Sequence, residues 1–237
     1  MPACHAGGRE FDPRPHRKKG SLTSVRLPFL VYVRNRTRGL QPLRGGCAAA
    51  GGQKYVAKVR AKREFDPRPH RHKMPLTHVR GIFVLKMFVV PEETDIPLKE
   101  RANRVNSHCA TLGKENVILV SIHANAAGNG SKWLNATGWS VYTSKGKTES
   151  DNLATCLAEA AIKNLSGRKI RSDWSDGDID FEESFYLLNR TLCAACLTEN
   201  GFMDSRESLA YISSRAGKQA IVDLHVEGIR EYLSLIL

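Results

Sequence analysis

Two residues stand where the chain could carry out a hydrolysis. His123 closes an apolar run, Asn116-Val-Ile-Leu-Val-Ser-Ile122, and is followed by Ala-Asn-Ala-Ala-Gly128. Glu199 closes a second run, Leu192-Cys-Ala-Ala-Cys-Leu-Thr198, and is followed by Asn-Gly201. Small residues after each run let the backbone turn away and leave the side chain facing a cleft. A neutral imidazole is a competent zinc ligand, and a carboxylate beside a metal-activated water can act as general base and then as acid. A strand-end histidine can equally be structural, so the residue types alone leave both roles open.

The elements that would position the pair alternate between two periods. Strand patterns cover Gly81–Val90, Asn116–His123, Gly138–Thr143, Phe185–Leu188 and Leu192–Thr198. Helical patterns cover Asp95–Leu112, with Pro97 suited to the first turn, then Thr148–Leu165, Arg206–Ser213 and Gly217–Leu237. Strands alternating with helices predict an α/β fold: three layers, a mainly parallel twisted sheet flanked by helices. In such sheets, ligands gather at the carboxyl ends of strands, where His123 and Glu199 are expected.

Three motifs follow one another along the chain: Pro91-Glu-Glu-Thr-Asp-Ile-Pro-Leu-Lys-Glu-Arg-Ala-Asn-Arg104, then Ser121-Ile-His-Ala-Asn125, then Thr198-Glu-Asn-Gly-Phe-Met-Asp204. Their order and spacing resemble those of the zinc-dependent N-acetylmuramoyl-L-alanine amidases. The match runs from about Phe88 to the C-terminus. This resemblance implies hydrolysis of the amide joining N-acetylmuramic acid to L-alanine in peptidoglycan. It implies a zinc cofactor, His123 as a zinc ligand, Glu199 as the catalytic carboxylate, and muropeptides as the partner. Arg101, Arg104 and Asn125 lie in matching motifs and are candidates for substrate contact; surface salt bridges and a turn-forming Asn are the competing reading. Trp133 and Trp139 flank the loop after His123 and are expected to be packing residues rather than sugar contacts. By substrate class the resemblance places the protein in the cell envelope or outside the cell.

The family's remaining zinc ligands, a histidine in a Gly-His-Gly loop and a glutamate, belong N-terminal to Pro91. Glu64, in Arg63-Glu-Phe65, resembles the glutamate site and lies 27 residues before Pro91. Three prolines follow it where the family has a helix, and Gly45-Gly-Cys47 places Cys where the first His belongs. Three accounts fit this segment. Glu64 with Cys47, His70, His72 or His78 rebuilds a zinc site; or a foreign stretch is joined to an amidase remainder; or a basic extension binds a partner of its own.

Charge marks the same boundary. The net charge is +12, yet residues 1–90 hold 20 Lys and Arg against 4 Asp and Glu, whereas residues 91–237 hold 16 against 20. Arg9-Glu-Phe-Asp-Pro-Arg-Pro-His-Arg17 is repeated unchanged as Arg63–Arg71. Two copies are too few for a solenoid. Residues 1–80 are therefore expected to be a basic, irregular Pro/Arg-rich segment, and residues 81–237 the amidase-like catalytic domain. Basic charge with few aromatic residues offers non-specific contact to anionic polymers; no specific nucleic-acid module is visible. A catalytically impaired binder of peptidoglycan or anionic polymer is thus the rival to an active amidase.

Six scattered cysteines do not make a disulfide scaffold. Cys193 and Cys196 are three apart on an expected strand and so point to opposite faces, which spoils a metal clip. No window reaches the roughly 18 apolar residues of a membrane span. The N-terminal residues lack the apolar core of a secretory signal.

Overall fold

A computed structural model describes residues 30–35, 76–79, 82–92 and 94–236. Three strands come first: β1 (Leu30–Asn35), β2 (Leu76–Val79) and β3 (Ile82–Phe88). Helix α1 (Leu98–Leu112) follows, entered through Pro97, whose fixed φ suits the position before the first turn. Then come β4 (Val117–Asn125), β5 (Trp139–Thr143) and α2 (Glu149–Asn164). A two-residue β6 (Phe181–Glu182), α3 (Tyr186–Arg190), β7 (Ala194–Phe202), α4 (Arg206–Ser213) and α5 (Arg215–Leu235) complete the described elements.

Side-chain alternation along the central strands makes the layers. Ile118 and Val120 of β4, Trp139 and Val141 of β5 and Cys196 of β7 pack against Leu153 and Leu157 of α2 and Leu224 and Ile229 of α5. The intervening residues, Val117, Leu119, Tyr142, Ala195 and Leu197, pack on the opposite face against Ala102, Val105 and Cys109 of α1 and Leu187 and Leu188 of α3. The expected three-layer α/β arrangement is therefore present. Strand order is β2-β3-β1-β4-β7-β5-β6. The sheet is mixed: β4–β7 and β5–β6 pair parallel, while β1–β3, β1–β4, β2–β3 and β5–β7 pair antiparallel. The parallel ladder at its centre is the one that joins the two candidate residues.

Local chemistry explains the helix ends near that ladder. Thr148 caps α2, its hydroxyl accepting from the Ser150 N–H, while Asp151 accepts from the Thr148 N–H in a capping box. Helices α2 and α5 approach closely at Gly228, where an added Cβ would lie 2.8 Å from Leu157 Cα and 2.9 Å from the Cys156 carbonyl oxygen.

Three expectations are corrected. Phe185–Leu188 does not form a strand; the stretch enters α3, because Leu187 and Leu188 are both buried on one side, as adjacent helical residues can be and alternating strand residues cannot. Strand β7 continues to Phe202, so Glu199 sits within it, and β4 likewise runs on to Asn125. Within residues 1–80, β1 and β2 are strands rather than irregular chain. The duplicated block, Cys47, Glu64, His70 and His72 lie outside the described residues, as does the side chain of His78.

Candidate active site on the β4–β7 ladder

The face of the sheet turned toward α1 changes character along its strands. In β4 it reads Val117, Leu119, Ser121, His123; in β7 it reads Ala195, Leu197, Glu199. In antiparallel β5, Tyr142 lies opposite Leu197 and Ser140 opposite Glu199. The apolar core beneath α1 and α3 thus runs out into a polar end. His123 and Glu199 are direct partners across the parallel ladder. Neighbouring strands lie about 4.8 Å apart, so this register sets the two residues side by side on one face of the sheet.

The surroundings set the electrostatics. His123 Nε2 is 2.9 Å from the hydroxyl of fully buried Ser121. Desolvation, with the nearby Arg101 guanidinium as a second cause, lowers the His123 pKa to about 4. The imidazole is therefore neutral at physiological pH, the form that can ligate a metal. Glu199 is 8% exposed. Burial raises the pKa of the Tyr142 phenol, to which the charge of Glu199 contributes. Tyr142 in turn stacks on Phe181 and packs on Phe185, with ring centroids 5.3 and 5.4 Å away.

A second network, on the far face, holds the strand ends in place. Asn200 donates to the main-chain carbonyl of His123 at 2.9 Å and to Thr198 Oγ1 at 3.2 Å, and accepts from the Trp139 indole N–H at 3.0 Å. Thr198 Oγ1 is 2.9 Å from His225 Nε2, and His225 Nδ1 is 2.6 Å from the Ile221 carbonyl. That carbonyl can only accept, so Nδ1 carries the proton and Nε2 accepts from the threonine hydroxyl. Beyond His123 the ladder slips: Asn125 pairs with Phe202, leaving an extra residue in β7. Gly201, at φ 100°, absorbs this bulge. The loop after β4 is then clamped by Asp204, whose carboxylate accepts from the Ala127 and Gly128 N–H groups at 2.9 and 2.8 Å.

The other expected site residues are placed as follows. Arg101, with its side chain 14% exposed, donates to Asp95 at 2.6 Å and to the Ile96 carbonyl at 2.7 Å, and its charge reaches His123. Arg104 is bound to Glu92, Glu100 and the Val89 carbonyl, which fastens the chain before α1 to the helix. Asn125 turns its side-chain oxygen onto the following Ala126 N–H, and its carbonyl accepts from Met203. Trp139 is buried, as expected; Trp133 is 43% exposed, with the Arg206 guanidinium 4.6 Å above its ring. Cys196 and Cys193 belong to opposite faces. Ser121, Asn200 and Asp204 lie within motifs visible in the sequence, but their roles depend on pairings between distant strands. Ser140 and Tyr142 carry no sequence signal beyond strand alternation.

A neutral imidazole is a chemically competent zinc donor, and Glu199 is its ladder neighbour; the further ligands expected from residues before Pro91 lie outside the described residues. The one three-member group of metal-ligating side chains among the described residues is Asp151, Asp178 and Asp180. It lies against Thr143, which alternates with Tyr142 and so sits on the opposite face of the sheet.

A sequence profile of the N-acetylmuramoyl-L-alanine amidase family matches residues 84–231. The N-acetylmuramoyl-L-alanine amidase from Clostridium difficile 630 is 26% identical, with a TM-score of 0.50 over 61% of this chain and 69% of that one. The catalytic domain of CwlV from Bacillus (Paenibacillus) polymyxa var. colistinus is 21% identical, with a TM-score of 0.48 over 62% of this chain and 70% of its own. AmiC2 of Nostoc punctiforme is 24% identical, with a TM-score of 0.48 over 61% and 71%. No curated protein matches the sequence. With its profile match spanning most of β3 through most of α5, this chain belongs to the N-acetylmuramoyl-L-alanine amidase family.

Proposed function

We propose that this protein hydrolyses the amide between N-acetylmuramic acid and L-alanine in peptidoglycan, with His123 as a zinc ligand, Glu64 as an expected further ligand, and Glu199 as the acid/base. The observation that carries the reading is the direct pairing of His123 with Glu199 at the polar end of the α1-facing sheet. Zinc held by these residues would supply Lewis acidity to the scissile carbonyl and would acidify the attacking water. The burial that keeps His123 neutral leaves its lone pair available for that role. The Glu199 carboxylate accepts the proton of the attacking water. As the carbon–nitrogen bond breaks, it returns that proton to the departing amino group of L-alanine. Arg101, held by Asp95 and the Ile96 carbonyl with its charge reaching His123, is the cation placed to attract a carboxylate of the stem peptide. Arg104 and Asn125 are engaged with their own chain and act on substrate only through the elements they hold.

The catalytic unit is residues 81–237, and its place of action is the cell envelope or beyond it. No helix among the described residues is long and apolar enough to cross a membrane. A second reading, in which the protein binds peptidoglycan or anionic polymer without cleaving it, is favoured by the concentration of basic charge in residues 1–90. The two are separated by incubating muropeptides with the zinc-supplied full chain and with Glu199→Gln. The amidase reading expects a mass split between sugar and L-alanine, slowed at least about 100-fold in the variant. Binding without cleavage supports the second reading.

A further inference from the structure

We propose that Asp151, Asp178 and Asp180 form a second cation site, separate from the catalytic pair and suited to a hard divalent ion such as Ca2+. Oxygens of the three carboxylates lie within 4.8 Å of one another. They come from two elements: Asp151 from the first turn of α2, and Asp178 and Asp180 from the segment leading into β6. Asp180 is 1% exposed. Its Oδ2 accepts from Thr143 Oγ1 at 2.5 Å, whereas its Oδ1 and Asp178 Oδ1 are buried and receive no hydrogen bond from any N–H or hydroxyl donor, the two carboxyls being close enough to interact with each other. Asp151 already accepts from the Thr148 N–H at 2.7 Å and from the Thr148 hydroxyl at 3.4 Å, which orients the carboxylate without using all its lone pairs.

No Lys, Arg or His among the described residues forms an ion pair with any of the three. Three carboxylates this close, one of them removed from water, repel each other unless a proton or a cation is placed between them. Burial, with the neighbouring Asp178 and Asp151 carboxylates, raises the Asp180 carboxyl to about 7, in keeping with the crowding of acidic groups at this point. An all-carboxylate donor set selects Ca2+, Mg2+ or Mn2+ over zinc, and Ca2+ best tolerates irregular geometry with ligands already committed to hydrogen bonds.

The position gives the ion a task. It would fasten the segment before β6 to the end of β5 and the start of α2. The next residue, Phe181, stacks on Tyr142, which stands on the same face as Glu199. The ion is thus a support for one wall of the catalytic cleft, and it stands whether or not the amidase reading holds.

The test uses the chelator-treated full chain, titrated calorimetrically with CaCl2 and, separately, MgCl2 and MnCl2, with thermal unfolding followed in parallel. The expected result is saturable binding by one of these ions, raising Tm by about 5 °C at saturation. That shift should be lost in Asp180→Asn and in the more exposed Asp178→Asn, with Tm of each variant unresponsive to the ion. Absence of saturable binding by folded wild-type protein would overturn the proposal. So would an undiminished response in both variants, or an Asp180→Asn protein more stable than ion-saturated wild type, which would make a shared proton the native arrangement.

Discussion

At the scale of single residues, the proposed catalytic pair depends on Asn200, a buried side chain on the opposite face of the sheet. Asn200 joins the His123 carbonyl, Thr198 and the Trp139 indole in one network. Asn200→Ala leaves the Trp139 N–H buried without a partner, a loss of about 1–3 kcal/mol. Urea unfolding should show that cost, and muropeptide cleavage should fall with it, because the backbone carrying His123 loosens. His225 provides a pH signature. Its pKa is about 4, lowered by burial from an ordinary 6.5, so the fold favours its neutral form. Above pH 6.5 that contribution is fully present. It is lost as pH falls toward 4, where the unfolded chain takes up a proton that the folded chain does not. The stability difference between wild type and His225→Leu should therefore shrink by about 3 kcal/mol between pH 7 and pH 4. Unfolding titrations at each pH check this; a constant difference would mean that His225 titrates normally.

At the scale of elements, the sequence was informative where a periodicity is local. The α1, α2 and α4 spans and the β4 and β5 runs were legible from apolar spacing and caps such as Thr148. Phe185–Leu188 was not, since a four-residue apolar run satisfies strand and buried helix alike, and its burial against α1 is a tertiary outcome. The pairing of His123 with Glu199 was also beyond reach, because two strands 76 positions apart carry no mutual register in their own residues. Motif order pointed to the two residues; only the ladder shows them adjacent and the slip at Gly201 that follows. Element packing yields its own test at Gly228. A methyl group there meets the α2 backbone at under 3 Å, so Gly228→Ala should destabilise by about 1–3 kcal/mol through separation of α2 and α5. A lower urea midpoint at unchanged slope is expected.

At the scale of the whole molecule, a mixed sheet divides labour between its two faces. The α1 face runs from apolar core to His123 and Glu199. The α2–α5 face holds the larger core, the Asn200 network and, at its end, the three aspartates. The charge asymmetry overlies this division: the basic excess lies in residues 1–90, and residues 91–237 are slightly negative. Whether His123 holds zinc is decided by the zinc content per chain of purified wild-type protein and of His123→Ala. The account expects about one zinc per wild-type chain, as for a catalytic site with three protein ligands, and its loss in the variant. Wild-type protein free of zinc, or a variant that retains it, would contradict the assignment of His123 and with it the zinc-dependent mechanism.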